Sequence, residues 1–157
     1  MHILCSFIGH REIKNEALVE IKLYSLVEGL INKGCNGFIF GSNSQFDDFA
    51  YKVVMDLRKT YEHIKVYNFY CGNETPLEKR YFDKVHFPPK CAKAGRKLYI
   101  ERNKAMIDCS EIVVFYYVDN YIPHTQTASG TKIAYDYAVS SKKEIFNIYK
   151  KHITSIK

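Results

Sequence analysis

Three short segments set glycine beside residues able to hold an anion: Gly9-His10-Arg11, Gly41-Ser42-Asn43 and Ser129-Gly130-Thr131. Glycine lets a backbone approach a phosphate closely, and the free N–H groups of a helix start favour negative charge. Ser42, Ser129 and Thr131 add hydroxyl donors, and Arg11 and Arg102 add planar forks of positive charge. A Cβ at Gly130 is expected to intrude on both the turn and the anion. Asp47 and Asp48 begin a helical stretch, where carboxylates complement the dipole. His10 has the chemistry either to hydrogen-bond a ligand or to cap its own loop. Phe69, Tyr70, Tyr116, Tyr117 and Tyr121 are able to stack a base or to pack an edge. Metal chemistry has no support, because the six histidines are scattered and no His-Glu-x-x-His spacing occurs. The five cysteines are an odd number without a Cys-x-x-Cys pair, which predicts reduced structural thiols and no metal or cofactor.

The elements that must position these residues follow from hydrophobic periodicity. His2–Ile8 reads as a strand, and Asn15–Lys33 as a helix with Ala17, Ile21, Tyr24, Val27 and Ile31 on one face and Gly34 closing it. Gly37–Phe40 is a short strand, followed by a helix with Phe46, Phe49/Ala50, Val53 and Leu57 on one face, and Lys65–Tyr70 is a third strand. Cys71–Lys97 breaks the rhythm with Gly72, Pro76, Pro88, Pro89 and Gly95, predicting a surface excursion with a short helix near Pro76–Asp83. A helix around Tyr99–Cys109, a strong strand Glu111–Val118, a helix Gly130–Ser141 and a strand Glu144–Tyr149 complete the order. This alternation predicts one doubly wound α/β domain over residues 1–157, a mainly parallel five-stranded Rossmann-like sheet with helices on both faces. Gly37–Phe40 and Ile112–Val118 barely alternate, as expected of strands buried on both faces. In such sheets ligands bind beyond the carboxyl ends of the strands, where all three glycine segments land.

Bulk properties set the context. The chain of 157 residues is 46% hydrophobic and 25% charged, ordinary for a single globular domain. Its start lacks the basic lead and apolar run of a signal peptide, and its longest apolar run is too short to cross a bilayer as a helix. A cytoplasmic protein without a membrane partner is expected. The net charge of +6 is uneven: residues 79–104 hold nine basic and two acidic side chains, +7 net, leaving −1 elsewhere. That field suits a phosphate-bearing partner as well as it suits a solvated loop.

The rim segments also carry a family resemblance. Phe7-Ile8-Gly9-His10-Arg11 resembles the opening of the YpsA-like branch of the SLOG superfamily. Gly41–Ala50 resembles that branch's second motif, Gly-x-x-x-Gly-Phe-Asp-x-x-Ala, with Gln45 in place of the second glycine. Glu101–Ile107 resembles the arginine-bearing helix before the fourth strand, and Ser129-Gly130-Thr131 with Ala134 and Ala138 the motif after it. The resemblance implies a Rossmann-like fold whose rim binds a nucleotide or a nucleotide derivative. It adds Phe46, Asp47 and Asn103 to the candidate contacts and makes Arg102 a ligand of phosphate or ribose. In the superfamily's phosphoribohydrolases a glutamate cleaves the N-glycosidic bond; Ala134 occupies its position here.

The candidate binding residues are therefore Gly9, His10, Arg11, Gly41, Ser42, Asn43, Phe46, Asp47, Arg102, Asn103, Ser129, Gly130 and Thr131, with no catalytic residue. They predict a binding module, a sensor or sequestering protein for a nucleotide-derived ligand. The alternatives are an N-glycosidic hydrolase of nucleoside 5′-monophosphates and a nucleic-acid-binding protein of weak affinity. Relatives of this kind form homo-oligomers, and self-association is expected.

Overall fold

The computed structural model describes residues 2–41, 44–71, 80–118, 129–150 and 155. Its elements run β1 (Leu4–Gly9), α1 (Glu16–Asn32), β2 (Gly37–Phe40), α2 (Gln45–Arg58), β3 (Lys65–Phe69), β4 (Lys84–His86), α3 (Leu98–Asp108), β5 (Ile112–Tyr116), α4 (Gly130–Ser140) and β6 (Glu144–Asn147). Two 3-10 turns, Pro89–Lys93 and Gly95–Lys97, precede α3.

The six strands form one sheet in the order β4-β3-β2-β1-β5-β6, and every pairing is parallel. The chain winds outward from β1 to β4, returns through α3 to β5 on the other side of β1, and ends at β6. Every residue of β2 and β5 is buried, which explains their unbroken apolar sequence. One apolar layer joins Phe7, Phe38 and Phe40 of the sheet to Val19, Leu23 and Val27 of α1 and to Phe46, Val53 and Val54 of α2. The opposite layer joins Ile8, Ile39, Val113 and Phe115 to Met106 and Ile107 of α3 and to Ala134 and Ala138 of α4. Helices therefore cover both faces, as the element order demands.

The expected count of five strands is corrected to six. β4 lies inside the stretch predicted as a surface excursion, where a three-residue edge strand holding one valine leaves no periodic signal. Its register comes from Asp83, whose N–H donates to the Val66 carbonyl at 2.8 Å while its carboxylate accepts the Val66 N–H at 2.8 Å. The predicted short helix is not present over 80–83, and the rest of it, 72–79, lies outside the described residues.

The α1 face is also corrected. Val19, Leu23, Val27, Leu30 and Ile31 are buried, whereas Ala17 is exposed and Ile21 is 66% exposed. Apolar residues occur on nearly every side of this helix, so spacing alone did not select the buried one. Gly34 closes α1 as expected, at φ +107°, with its N–H bonded to the Ile31 carbonyl.

Candidate functional site

The carboxyl ends of β2, β1 and β5 are adjacent in the sheet, so the segments after Gly9, Phe40 and Tyr116 share one rim. Two capped helices start there. Ser44 Oγ accepts the Asp47 N–H at 3.1 Å to open α2, and Ser129 Oγ accepts the Lys132 N–H at 3.3 Å to open α4. Ser42 and Asn43 lie outside the described residues, as does Tyr121.

The three rim glycines differ in what stands where a side chain would be. A Cβ on Gly9 would lie 2.5 Å from Cδ2 of Phe46, and one on Gly41 would lie 2.5 Å from Sδ of Met106 and 3.0 Å from Nε of Arg102. Packing against protein side chains therefore accounts for these two. Gly130 is exposed, and a Cβ there would meet nothing within 4 Å. The expectation that a Cβ at Gly130 would obstruct the turn is overturned, because the helix start leaves open space on that side.

Phe46 is fully buried, tilted against Tyr116 with centroids 6.0 Å apart, so it walls the rim from within. Asp47, next in sequence, is fully buried as well. Gln45, standing where the family motif has glycine, clamps the loop after β1: its N–H donates to the Arg11 carbonyl at 3.0 Å, and its Oε1 accepts the Ile13 N–H at 2.9 Å. The Arg11 residue itself is exposed at the rim.

His10 is buried, and its Nε2 accepts the Val118 N–H at 3.0 Å, tying the loop after β1 to the chain leaving β5. The neutral ring then carries its proton on Nδ1. Burial holds its pKa below the usual histidine value. Because the folded pKa is the lower one, the unfolded chain takes up the proton first. Stability contributed by neutral His10 is complete above about pH 6.5 and is lost as pH falls through and below that value. Urea melts at pH 7.5 and 5.5 should show a smaller pH slope in His10→Gln than in the wild type; equal slopes would refute this assignment.

Arg102 of α3 is only 3% exposed and stands beside Gly41. Its Nη2 donates to Oδ1 of Asn103 at 3.2 Å, its Nη1 to Sγ of Cys71 at 3.9 Å, and Tyr99 covers its plane at 5.4 Å. The structure thus places Arg102 beside Gly41, with Asn103 holding its guanidinium. Thr131 is buried at the start of α4, with Ser129 half-buried beside it. Ala134 packs in the core with Ile8 and Phe115, so its position carries no carboxylate and does not face open space.

Two rim residues went unnoticed in the sequence. Asn147, at the end of β6, donates to the Tyr117 carbonyl at 2.8 Å and accepts the Tyr117 N–H at 3.0 Å, fixing the chain beyond β5. Asn68, one residue before the end of β3, donates to the Phe40 carbonyl at 3.2 Å. In both cases the one available signal was a buried amide interrupting an apolar strand.

The basic segment is dispersed. Arg80 pairs with Asp48 and lies over the Tyr51 ring, Lys104 lies over Tyr137, and Arg102 is buried. Lys90, Lys93, Arg96 and Lys97 sit exposed on the two 3-10 turns. A broad groove of about 740 Å³ between α1 and α2, lined by Tyr24, Tyr51, Lys52 and Arg58, is open, and charged side chains form much of its wall. It lacks the helix starts and glycine loops that gather at the rim, so the rim remains the candidate site.

In fold, the chain is similar to a molybdenum cofactor carrier protein. That protein, from Chlamydomonas reinhardtii, superposes with a TM-score of 0.55 at 12% identity, covering 92% of this chain and 75% of its own. No protein-family model and no curated protein matches the chain. Among the described residues no helix is long and apolar enough to cross a membrane, and no cluster of His, Cys, Asp or Glu is arranged to hold a metal.

Proposed function

We propose that this protein is a binding module, a sensor or sequestering protein, that holds a nucleotide or nucleotide-derived ligand at the carboxyl rim of its sheet, and that it is a SLOG-superfamily protein of the YpsA-like kind. The carrying observations are the serine-capped starts of α2 and α4, which follow β2 and β5 of one parallel sheet, and buried Arg102 beside Gly41. Backbone N–H groups at such starts favour an anion, and a guanidinium adds a fork for phosphate. The fold shared with a carrier of a small-molecule cofactor supports binding, and Ala134 in the glutamate position favours binding over N-glycosidic hydrolysis. In this reading the protein is cytoplasmic and self-associating, with Leu18, Ile21 and Val139 among the apolar residues exposed for contact.

Gly130 provides the test, because a Cβ added there meets nothing within 4 Å. AMP, GMP, CMP and UMP are tested in turn by thermal melting, and a nucleotide at about 100 times its Kd should stabilise the fold by roughly 2.7 kcal/mol. Gly130→Val should keep the unliganded melting temperature and lose the shift, while a change at Lys142, beyond the far end of α4, should lose nothing. No shift with any of the four, or equal shifts in wild type and Gly130→Val, would overturn the site. Release of ribose 5-phosphate that disappears in Arg102→Ala would establish the hydrolase instead.

A further inference from the structure

Asn68 uses half of its amide. The Phe40 carbonyl can only accept, so Nδ2 must face it, and the 3.2 Å bond fixes the orientation of the group. Oδ1 is thereby turned away from that carbonyl. It is buried and accepts no hydrogen bond from any described residue, although the residue is only 8% exposed. A buried amide oxygen left without a donor is costly, and an apolar side chain of similar size would avoid the cost. The bond to Phe40 explains the nitrogen and leaves the oxygen unexplained.

The position of Asn68 supplies the explanation. It is in register with Phe40, the last residue of β2, and Gly41 follows directly. Along β3 its side chain shares a face with Val66, which packs in the layer toward α1 and α2. Arg102 reaches Gly41 from α3, on the opposite face. A cation and an unsatisfied acceptor thus flank the same pair of strand ends. An anion alone would be attracted by the first and repelled by the second. A ligand carrying both a phosphate and a hydroxyl would satisfy both.

We propose that Asn68 is a specificity residue whose Oδ1 accepts a hydrogen bond from a sugar hydroxyl of the ligand, so that the rim selects hydroxyl-bearing sugar phosphates over bare anions and deoxygenated analogues. This rests on rim binding as proposed above. The nitrogen of Asn68 holds the amide in place, and the oxygen reads the ligand.

The test measures affinities of AMP, 2′,3′-dideoxy-AMP and inorganic phosphate for the full chain by calorimetry, in wild type and in Asn68→Leu. Wild type should bind AMP about five- to tenfold more tightly than the dideoxy analogue, the weight of one neutral hydrogen bond to a buried acceptor. In Asn68→Leu that ratio should fall to near one, with phosphate affinity unchanged. A structural role for Asn68 would lower stability without moving the ratio. The comparison of the two nucleotides in wild type needs no variant, so it stands even where Asn68→Leu folds poorly. Equal binding of both nucleotides, or a ratio that persists in Asn68→Leu, overturns the role of Asn68 and leaves rim binding intact; a water filling the site would give this result. If neither AMP nor phosphate binds wild type, rim binding fails and the role of Asn68 falls with it.

Discussion

Gly9→Ala should destabilise the fold by about 3 kcal/mol, the upper range for overpacking a filled core. For a domain of this size that lowers the melting temperature by roughly 6–12 °C. The added Cβ would lie 2.5, 2.7 and 2.9 Å from Cδ2, Cγ and Cβ of Phe46. These are the root of a ring, so rotating a flexible tip gives no escape. Phe46 is itself fully buried, wedged near Phe7 and Tyr116 with centroids 6.4 and 6.0 Å away. Relief therefore requires α2 to move off the sheet. Trimming the ring should restore part of the loss, so in Gly9→Ala/Phe46→Leu the combined effect should be smaller than the sum of the single effects. Gly130→Ala, with open space around it, is the control and should melt like wild type. An unchanged melting temperature in Gly9→Ala would show that Gly9 is present for a ligand and not for Phe46.

Asp83→Ala should cost about 2–4 kcal/mol, because one carboxylate holds several partners at the edge of the sheet. It pairs with both terminal nitrogens of Arg58 at 3.0 and 3.1 Å, accepts the Val66 N–H at 2.8 Å and accepts the Tyr81 hydroxyl at 2.9 Å. Arg58 retains 20% side-chain exposure and regains water when its partner is removed, which keeps the loss below that of a fully buried pair. Burial by itself pushes the Asp83 pKa up. The Val66 N–H, the Arg58 guanidinium and the Tyr81 hydroxyl outweigh burial and hold it below the usual carboxylate value. With the folded pKa depressed, this stability is fully present above the unfolded value near pH 3.9 and is lost as pH falls through the folded one. Asp83→Asn should therefore unfold at a lower denaturant concentration at pH 7 and show a shallower loss between about pH 5 and 2. The β4 edge should loosen as well, read as faster amide exchange at Val66 and Tyr70. Wild-type melting in Asp83→Ala would refute the anchoring role.

Some of the features that shape the rim have local cues in the sequence. Ser129, read in the sequence as a hydroxyl donor beside a helix start, caps α4 through a bond within three residues, and Ser44, which the sequence reading does not single out, caps α2 in the same way. Arg102, singled out in the sequence as a fork of charge, lies beside Gly41 with Asn103 bonded to it. The roles of Gln45, Asn68, Asn147 and His10 were not legible. Each joins backbone groups from segments distant in sequence, such as the 108-residue separation between His10 and Val118. A side chain's type states which bonds it can make, while the partner is chosen by what the folded sheet brings next to it.

The order of the four helices and of every strand but β4, and hence the expectation of a doubly wound α/β domain, followed from the sequence alone. Strands buried on both faces must be apolar throughout, as β2 and β5 are, and that demand is written residue by residue along the chain. Tertiary structure alone decided the sixth strand, the buried side of α1 and the meaning of each rim glycine. A three-residue edge strand gains its stability from Asp83 and the neighbouring strand, not from its own pattern. A helix apolar on most sides takes whichever face its neighbours cover. A glycine marks a place where a side chain is absent, and only packing shows whether a phenylalanine ring at Gly9, an arginine and a methionine at Gly41, or open space at Gly130 takes that place.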